Sequence, residues 1–461
     1  MARKSNEEDF STAGNGSNGN ATSSSVDEML LAALERGDDN LETGRFLITF
    51  KEGAAEAGAQ SLDAQGMRIA DTRDFTNQAA VLESVGDADA VVFPEIGVAL
   101  VGANAAQERS LNLAASETAA ADDPVESVDP EHFVFSDDSP GRYLTGFAAQ
   151  GEGFQNEYLR GFMRATEAIA NDLRLAIPTM PGIAPPETDE EAVLALGATW
   201  GLNACRVPAS MRSGAGIRVA VLDTGLDLRH PDFSGRPVVS EQFVGQPVQD
   251  LHSHGTHCTG TACGPKAPPG STPRYGVAFR SSIFIGKVLS NSGSSVGASV
   301  LNGMNWAIAN RCAIISMSLG SQTGVQPYYT AAGKNALEKG LLIIAAAGNA
   351  AMPTGAPANS PTIMSVASLD PSLTPSSFSN FGKIEISGPG RDVFSSVPRP
   401  KRYGIKSGTS MATPHVAGCA ALWAESSPAL RGMALWRRLQ SSARRLPLPV
   451  TRVGAGLVQA P

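Results

Sequence analysis

Residues 217–225 read Ile-Arg-Val-Ala-Val-Leu-Asp-Thr-Gly, an apolar run that ends in a carboxylate and a turn-forming glycine. Runs of the same kind recur at Ile283–Leu289, Ala313–Ser318, Leu341–Ala347 and Ile363–Ser368, with helix-like segments between them. Strands that are buried on both faces have this continuous apolar pattern, and helical crossovers join parallel strands. We therefore predict an α/β fold with a doubly wound, mainly parallel sheet.

The composition limits the size and the partners of the fold. A chain of 461 residues exceeds one ordinary core, so we expect two or three domains. The net charge is −9 and no cluster of Lys and Arg is able to neutralise a run of phosphates, which argues against a nucleic-acid partner. The longest apolar candidate, Leu341–Ala347, is too short to span a membrane.

The first residues and the cysteines indicate the cellular compartment of the protein. The start, Met-Ala-Arg-Lys-Ser, has a basic pair without the apolar segment of a secretory signal peptide behind it. The chain has 5 cysteines at no metal-like spacing, which leaves at least one thiol unpaired. Both features favour a cytoplasmic location, although export by a leaderless route would give the same pattern.

The N-terminal part divides into two segments. Residues 1–43 are polar and poor in aromatic side chains, so we expect an unstructured segment with a short helix at Val26–Glu35. Residues 44–136 have the order βαββαβ, which predicts a small ferredoxin-like α+β domain. Its strands are predicted at Arg45–Phe50, Met67–Thr72, Gly97–Val101 and Val125–Phe135, and its helices at Ala54–Gln65 and Ala105–Ala115.

A linker separates this domain from the predicted parallel sheet. Residues 137–197 are acidic and rich in proline, and they include one amphipathic helix at Phe154–Leu175. Residues 198–461 carry the apolar runs and form the last predicted domain.

Four polar residues stand at element ends, where they suit acyl transfer. Asp223 follows a buried strand, and Asn349 follows the run Leu341–Ala347. His254 and Ser410 each stand where a loop becomes a helix. Functional groups gather at the carboxyl ends of strands in open α/β sheets, and a helix N-terminus offers backbone N–H groups to an oxyanion. An acid, a base, an oxyanion donor and a nucleophile together make an acyl-transfer site.

Each of these residues also has an ordinary explanation. An Asp or Asn after a strand forms turns, and a Ser at a helix start is most often a cap. The closely spaced His252, His254 and His257 also suit a zinc site. The chain has only 6 histidines and no Glu-x-x-His or His-x-x-x-His pattern, but a metallohydrolase stays open as an alternative.

Five segments resemble the signature segments of the subtilisin-like serine proteases. They are Val-Ala-Val-Leu-Asp-Thr-Gly at 219–225, His-Gly-Thr-His at 254–257, Ser-Met-Ser-Leu-Gly at 316–320, Ala-Ala-Gly-Asn at 346–349, and Gly-Thr-Ser-Met-Ala-Thr-Pro-His-Val-Ala-Gly at 408–418. Their order, with Asp first, then His, Asn and Ser, is that of the family. The resemblance implies a subtilisin-like catalytic domain at 198–461.

The resemblance gives each candidate residue a role. Ser410 would be the nucleophile, His254 the general base, and Asp223 the residue that orients His254. Asn349 would donate a hydrogen bond to the oxyanion, and His257 would be structural. A serine hydroxyl is a poor nucleophile until a neighbouring base takes its proton, which agrees with these roles. The implied reaction is hydrolysis of a peptide bond through an acyl-enzyme, with no cofactor for the chemistry.

Two further segments resemble the edges that bind substrate in this family. An extended peptide is expected to lie between them as an added strand. The six residues concerned are Ser318, Leu319 and Gly320 on one side and Gly293, Ser294 and Ser295 on the other. Such pairing contacts the peptide backbone, so the expected partners are unfolded or extended polypeptides.

Three features depart from the common pattern. The loop 264–273 lacks the Asn-containing segment that forms a calcium site in many relatives, so it does not support a structural calcium ion, although Asp232 matches one ligand. Cys258 follows His257 as in proteinase-K-like enzymes with a buried thiol, or it is a small helix-packing residue. The loop 350–361, beside the main specificity pocket, is shortened.

Residues 44–136 resemble the propeptide of the same family. In the family, this domain assists folding and inhibits the protease with its C-terminal tail in the cleft. The chain would then be a self-processing proenzyme, and the long linker 137–197 leaves the position of the cleavage open. A ferredoxin-like domain that stays attached for another purpose is the alternative.

The sequence thus predicts a serine endopeptidase that acts on polypeptides and is inhibited by its own propeptide. A processing protease dedicated to one peptide or protein precursor is a narrower alternative. A pseudoenzyme or binding module is an alternative of another class, although every catalytic position is filled. No metal for the chemistry, no nucleic acid and no membrane partner are expected.

Overall fold

The computed structural model describes residues 26–36, 41–76, 85, 88–108, 123–136 and 197–461. The predicted helix Phe154–Leu175 and nearly all of the predicted linker 137–197 lie outside these residues. In the described part, no helix combines the length and the apolar content that crossing a bilayer requires.

Helix α1 (Val26–Arg36) confirms the helix predicted at Val26–Glu35. Val26, Leu30 and Ala33 share one face of the helix and are buried. They pack in one apolar cluster with Leu41, Phe133, Phe135 and Val296. The predicted end of this segment at residue 43 is too late, because Leu41 is buried and a strand begins at Glu42; residues 1–25 and 37–40 lie outside the described residues.

A mixed sheet follows α1. Its strands are β1 (Glu42–Phe50), β2 (Ile69–Asp71), β3 (Ala90–Phe93), β4 (Val98–Val101) and β5 (Val125–Ser136), in the spatial order β2-β3-β4-β1-β5. Helices α2 (Ala55–Ala64) and α3 (Ala103–Glu108) lie between the strands in sequence. This order contains one strand more than predicted. The missed strand, β3, has only 4 residues and ends before Pro94, so it is too short for a clear strand pattern.

The two faces of this sheet pack against different layers. Ile48, Phe50 and Val101 belong to a small core formed with α2 and α3. Leu47 and Val98 belong instead to a larger core shared with helices from residues 197–461. Neighbouring residues of a strand point to opposite faces, so the sheet is buried on both sides.

Seven parallel strands form the second sheet. In spatial order they are β14 (Ile386–Pro389), β13 (Met364–Leu369), β12 (Leu342–Ala346), β10 (Ile314–Met317), β6 (Arg218–Asp223), β8 (Ser282–Lys287) and β7 (Val238–Gln242). The prediction of a doubly wound, mainly parallel sheet is confirmed. The five inner strands match the predicted apolar runs, whereas the edge strands β7 and β14 were missed because polar residues and glycine interrupt their sequences.

Helices cover both faces of this sheet. The helices of residues 197–461 are α4 (Trp200–Ala204), α5 (His254–Cys263), α6 (Gly297–Ala309), α7 (Pro327–Glu338), α8 (Thr409–Ser426), α9 (Gly432–Ser442) and α10 (Val450–Val453). Val219 and Val221 of β6 lie in the core with α5, α8 and α9. Ala220 and Leu222 lie in the core with α6 and α7. The alternation along β6 therefore separates the two helix layers and leaves Asp223 at the strand end.

Candidate active site

Asp223 and His254 meet where β6 ends and α5 begins. His254 Nδ1 lies 2.8 Å from Asp223 Oδ1, and the same oxygen accepts the backbone N–H of Thr224 at 2.7 Å. Both side chains are buried. Because a carboxylate accepts and Nδ1 therefore donates, Nε2 is the ring nitrogen of the neutral imidazole that can take up a proton. Nε2 is buried and has no hydrogen-bond partner among the described residues.

The surroundings of His254 set its basicity. Burial has the largest single effect and lowers the pKa of the imidazole, but the opposing effects of Asp223 and Cys258 together outweigh it, so the pKa of His254 lies well above its ordinary value. Burial raises the pKa of Cys258 to about 11, so this thiol is neutral near neutral pH. The negative charge beside His254 therefore comes from Asp223.

Ser410 is the second residue of α8 and is buried. Its Oγ donates to Ser318 O at 3.2 Å, and its carbonyl accepts from Ser318 Oγ at 2.8 Å. Pro414 has no N–H to donate to that carbonyl four residues earlier, so Ser318 supplies the missing donor. Cys258 Sγ lies 3.5 Å from Ser410 O and 3.8 Å from His254 Nδ1, so the starts of α5 and α8 are adjacent.

Asn349 is fixed to the start of α8. Its Oδ1 accepts the backbone N–H of Thr409 at 2.8 Å, and Gly348 N donates to Thr409 Oγ1 at 3.1 Å. Its Nδ2 is buried without a hydrogen-bond partner among the described residues. A Cβ on Gly408 would lie 3.0 Å from this Nδ2, so glycine leaves room for the amide. The described residues thus hold an amide donor next to Ser410 and offer that donor no acceptor.

The end of β5 lies between two segments of residues 197–461. It pairs antiparallel with β9 (Ser294–Val296) and with β11 (Leu319–Gly320). Phe135 is opposite Ser294 on one side and Gly320 on the other, and Ser136 N donates to Gly293 O at 2.8 Å. Of the six predicted substrate-binding residues, five border this strand, and Ser318 contacts Ser410 instead.

A pocket opens beside Asn349. It is lined by residues 319–322, 346–350 and 355–356, together with Phe135 and Ser136 of β5. No charged side chain is among these residues. Asn380 fixes the pocket loop, because its Oδ1 accepts from Ala350 N and Met352 N and its Nδ2 donates to Ala347 O at 3.0 Å. None of the motifs found in the sequence includes Asn380.

Comparisons with known proteins agree with this geometry. Residues 214–456 match the sequence profile Peptidase_S8, described as the subtilase family. Subtilisin NAT of Bacillus subtilis subsp. natto is 37% identical over 279 residues, which are 58% of this chain and 71% of that protein. The subtilisin of Bacillus pumilus is 37% identical over 259 residues, 54% of this chain and 92% of that protein. The chain belongs to the subtilase family.

A solved structure supports the same conclusion. The crystal structure of a cold adapted subtilisin-like serine proteinase matches with a TM-score of 0.51 and 32% identity, covering 57% of this chain and 98% of that one. This subtilase is a serine endopeptidase, a hydrolase that acts on polypeptides. Catalysis in the family needs no cofactor.

The histidines of this subtilase do not form the zinc site left open above. Among the described residues, the one group of three donor atoms within 4.8 Å of one another is that of Asp223, His254 and Cys258. His252 and His257 are outside it, and His257 Nε2 bonds to Val393 O at 2.9 Å. The metallohydrolase alternative is therefore wrong, because the histidines do not converge. All five cysteines are buried and free.

Asp232, the residue matched to a calcium ligand, is surrounded by tyrosine hydroxyls. Its carboxylate accepts from Tyr275 Oη, and from Tyr403 Oη at 3.0 Å. Asp232 belongs to no group of three carboxylate, imidazole or thiolate donors among the described residues. A Ca²⁺ ion needs six to eight oxygen ligands, most of them carboxylates and carbonyls. The surroundings of Asp232 in this subtilase do not fit that ion.

Proposed function

We propose that this subtilase hydrolyses peptide bonds through Ser410, His254 and Asp223, with Asn349 as the oxyanion donor. One observation carries the proposal. The Asp223–His254 pair leaves Nε2 of His254 without a partner at the helix start next to Ser410. A base oriented in this way, beside a serine at a helix N-terminus, suits nucleophilic attack on a carbonyl.

The reaction follows from these groups. Ser410 Oγ attacks the carbonyl carbon of the scissile peptide bond, and its proton passes to His254 Nε2. The resulting oxyanion accepts from Asn349 Nδ2 and from the backbone N–H groups at the start of α8. His254 then gives its proton to the leaving amine as the C–N bond breaks. His254 then takes a proton from water, whose oxygen attacks the acyl carbon. The ester bond to Ser410 breaks, and the proton passes from His254 to Ser410 Oγ, which frees the carboxylic acid product and restores the hydroxyl group.

We further propose that residues 44–136 are an inhibitory prodomain. The end of β5 occupies the position between β9 and β11 that an extended substrate would take, and antiparallel pairing on both sides supports this. Glu131 of β5 also joins the two parts. Its Oε1 accepts Ala298 N in the first turn of α6 at 2.7 Å, while its Oε2 bonds to Arg45 Nε at 2.6 Å. A carboxylate at a helix N-terminus is favourable.

A serine-directed fluorophosphonate probe tests the chemistry. We expect the probe to modify Ser410 once the prodomain has left, with and without a metal chelator. The Ser410→Ala protein should remain folded but unlabelled and without peptidase activity. Labelling of the Ser410→Ala protein at the wild-type rate, or loss of wild-type labelling with the chelator, would reject the assignment.

A further inference from the structure

Three buried polar residues that the proposed chemistry does not use lie behind Asp223 and His254. Asp250 precedes α5, Thr224 follows Asp223, and Lys287 ends β8 opposite Asp223. All three are completely buried. Burying a carboxylate and an ammonium group is costly unless both are paired, so their contacts indicate what the pair is for.

Asp250 holds the backbone on which His254 stands. Its Oδ1 accepts His252 N at 2.9 Å and Ser253 N at 2.8 Å. Its Oδ2 accepts Thr256 N at 2.8 Å and Thr256 Oγ1 at 2.7 Å. The first N–H groups of a helix have no partner within the helix, and a carboxylate there satisfies them. Asp250 thus caps α5.

The residue before His254 has a left-handed backbone. Ser253 has φ +84°, a region that residues other than glycine seldom adopt. Its N–H is one of the groups that Asp250 binds. Since the chain turns at Ser253 into α5, this conformation determines where His254 points. Asp250 therefore fixes both sides of the histidine.

Thr224 connects Asp250 to the Asp223 side of the pair. Its Oγ1 donates to Asp250 Oδ1 at 3.0 Å and accepts Gly255 N at 2.9 Å. Its backbone N–H donates to Asp223 Oδ1 at 2.7 Å. A Cβ on Gly255 would lie 2.3 Å from Gly225 O, so α5 begins directly against the turn after β6. One threonine thus links the acid and the histidine helix.

Lys287 completes the network from the next strand. Its Nζ donates to Thr224 O at 2.6 Å and to Asn291 Oδ1 at 2.9 Å. Burial lowers the pKa of Lys287 to about 8, and the carboxylates of Asp250 and Asp223 oppose that fall. The ammonium group of Lys287 thus interacts favourably with the buried carboxylates of Asp250 and Asp223.

We propose that Asp250 and Lys287 are positioning residues that set the geometry and the basicity of His254 in this subtilase. The inference rests on the proposed roles of Asp223 and His254. In the described part of the chain, the titratable groups that face His254 are Asp223 from β6 and His252 and Cys258 from its own segment, and the buried pair is bonded to Thr224, next to Asp223. Asp250 and Lys287 act through Thr224 and the backbone at Ser253.

Two substitutions test the proposal, one that removes the buried anion and one that removes the buried cation. In Asp250→Asn we expect kcat per titrated active site to fall about 10- to 100-fold, because misplaced groups lose orientation, with KM nearly unchanged. Removing the Asp250 anion lowers the pKa of the imidazole, so the acidic limb of the kcat/KM profile should move to lower pH. Lys287→Met removes a cation and so raises the pKa of the imidazole, and the acidic limb of its kcat/KM profile should move to higher pH.

A matched control separates positioning from loss of stability. Asp227 is equally buried, but its carboxylate pairs with Arg399 at 2.9 Å. Asp227→Asn should therefore change neither kcat per active site nor the acidic limb of the kcat/KM profile. If Asp250→Asn does not fold, Thr224→Val removes only the hydroxyl bonds and should lower kcat in the same direction by a smaller factor.

Two results keep this inference distinct from the proposed function. The positioning role would be overturned if Lys287→Met and Asp250→Asn both kept the wild-type kcat per active site and the wild-type acidic limb of the kcat/KM profile. If Asp250→Asn does not fold, Thr224→Val takes its place in this comparison. Asp223→Asn, measured alongside, should lose most of its kcat in either case. If Asp223→Asn also retained wild-type kcat, the Asp223–His254 assignment itself would fail.

Discussion

At the scale of single residues, Asn349 holds a buried amide that we propose as the oxyanion donor. Its Nδ2 has no hydrogen-bond partner among the described residues, whereas its Oδ1 is bonded to Thr409 N. Asn349→Ala should lower kcat by about 10²–10³, a magnitude taken from subtilisin itself, where such a donor has been removed. KM should change little, since the bond forms in the transition state.

Steady-state kinetics with one peptide substrate measure this effect. Asn310→Ala is a suitable control, because Asn310 caps the end of α6 through Trp306 O at 2.9 Å, away from Ser410. An unchanged kcat in Asn349→Ala, or a loss confined to KM, would reject the oxyanion role.

Residue patterns along the sequence predicted part of this site. Asp223, His254, Asn349 and Ser410 could be found because each lies in a local motif at an element end. Lys287 and Asn380 could not, because they act through contacts distant in sequence, such as Lys287 Nζ to Thr224 O. Asp250 was missed although most of its contacts are with residues 252–256. A polar residue four positions before a helix start, as Asp250 stands before His254, was the one available signal.

At the scale of elements, α1 packs against both β5 and β9, one of the two proposed substrate-binding segments. Leu30 is buried in one cluster with Phe133 and Phe135 of β5 and Val296 of β9. Leu30→Asp places a carboxylate in that cluster and removes a packed side chain, which costs about 2–5 kcal/mol. We expect β5 to leave the cleft more readily, so that peptidase activity appears at least about tenfold sooner.

The lag before peptidase activity, followed with the purified full-length chain, measures this release. Ala32 lies on the exposed face of the same helix, so Ala32→Asp adds the same charge without disturbing the cluster. Equal lags in Leu30→Asp and Ala32→Asp would show that α1 does not help to hold β5.

The inner strands of the parallel sheet could be predicted because they are continuous apolar runs, as in Leu342–Ala346. The edge strand Val238–Gln242 could not, because it is half-buried and contains Ser240, Glu241 and Gln242. The placement of α1 was also missed, since Val26, Leu30 and Ala33 lie beside a polar stretch and pack on residues a hundred or more positions away.

At the scale of the whole molecule, the N-terminal sheet and the catalytic part share one core. Leu47 and Val98 of the sheet pack in the same cluster as Ala298 and Met304 of α6. The resemblance predicted a propeptide-like domain. The successive apolar residues Phe46, Leu47 and Ile48 put apolar side chains on both faces of the strand, but they did not reveal which layer covers the second face. That layer is supplied by α6 and α7, so the sheet is complete only in contact with the catalytic part.

Intact-mass analysis of the full-length chain over time tests the central claim most directly. Wild-type protein should shorten from its N-terminal side to a product that begins between Ser136 and Thr199. The reaction should accelerate as pH rises, because the raised pKa of His254 keeps the base protonated at lower pH. Ser410→Ala should stay at full length at every pH. Shortening of the Ser410→Ala chain at the wild-type rate would contradict the account.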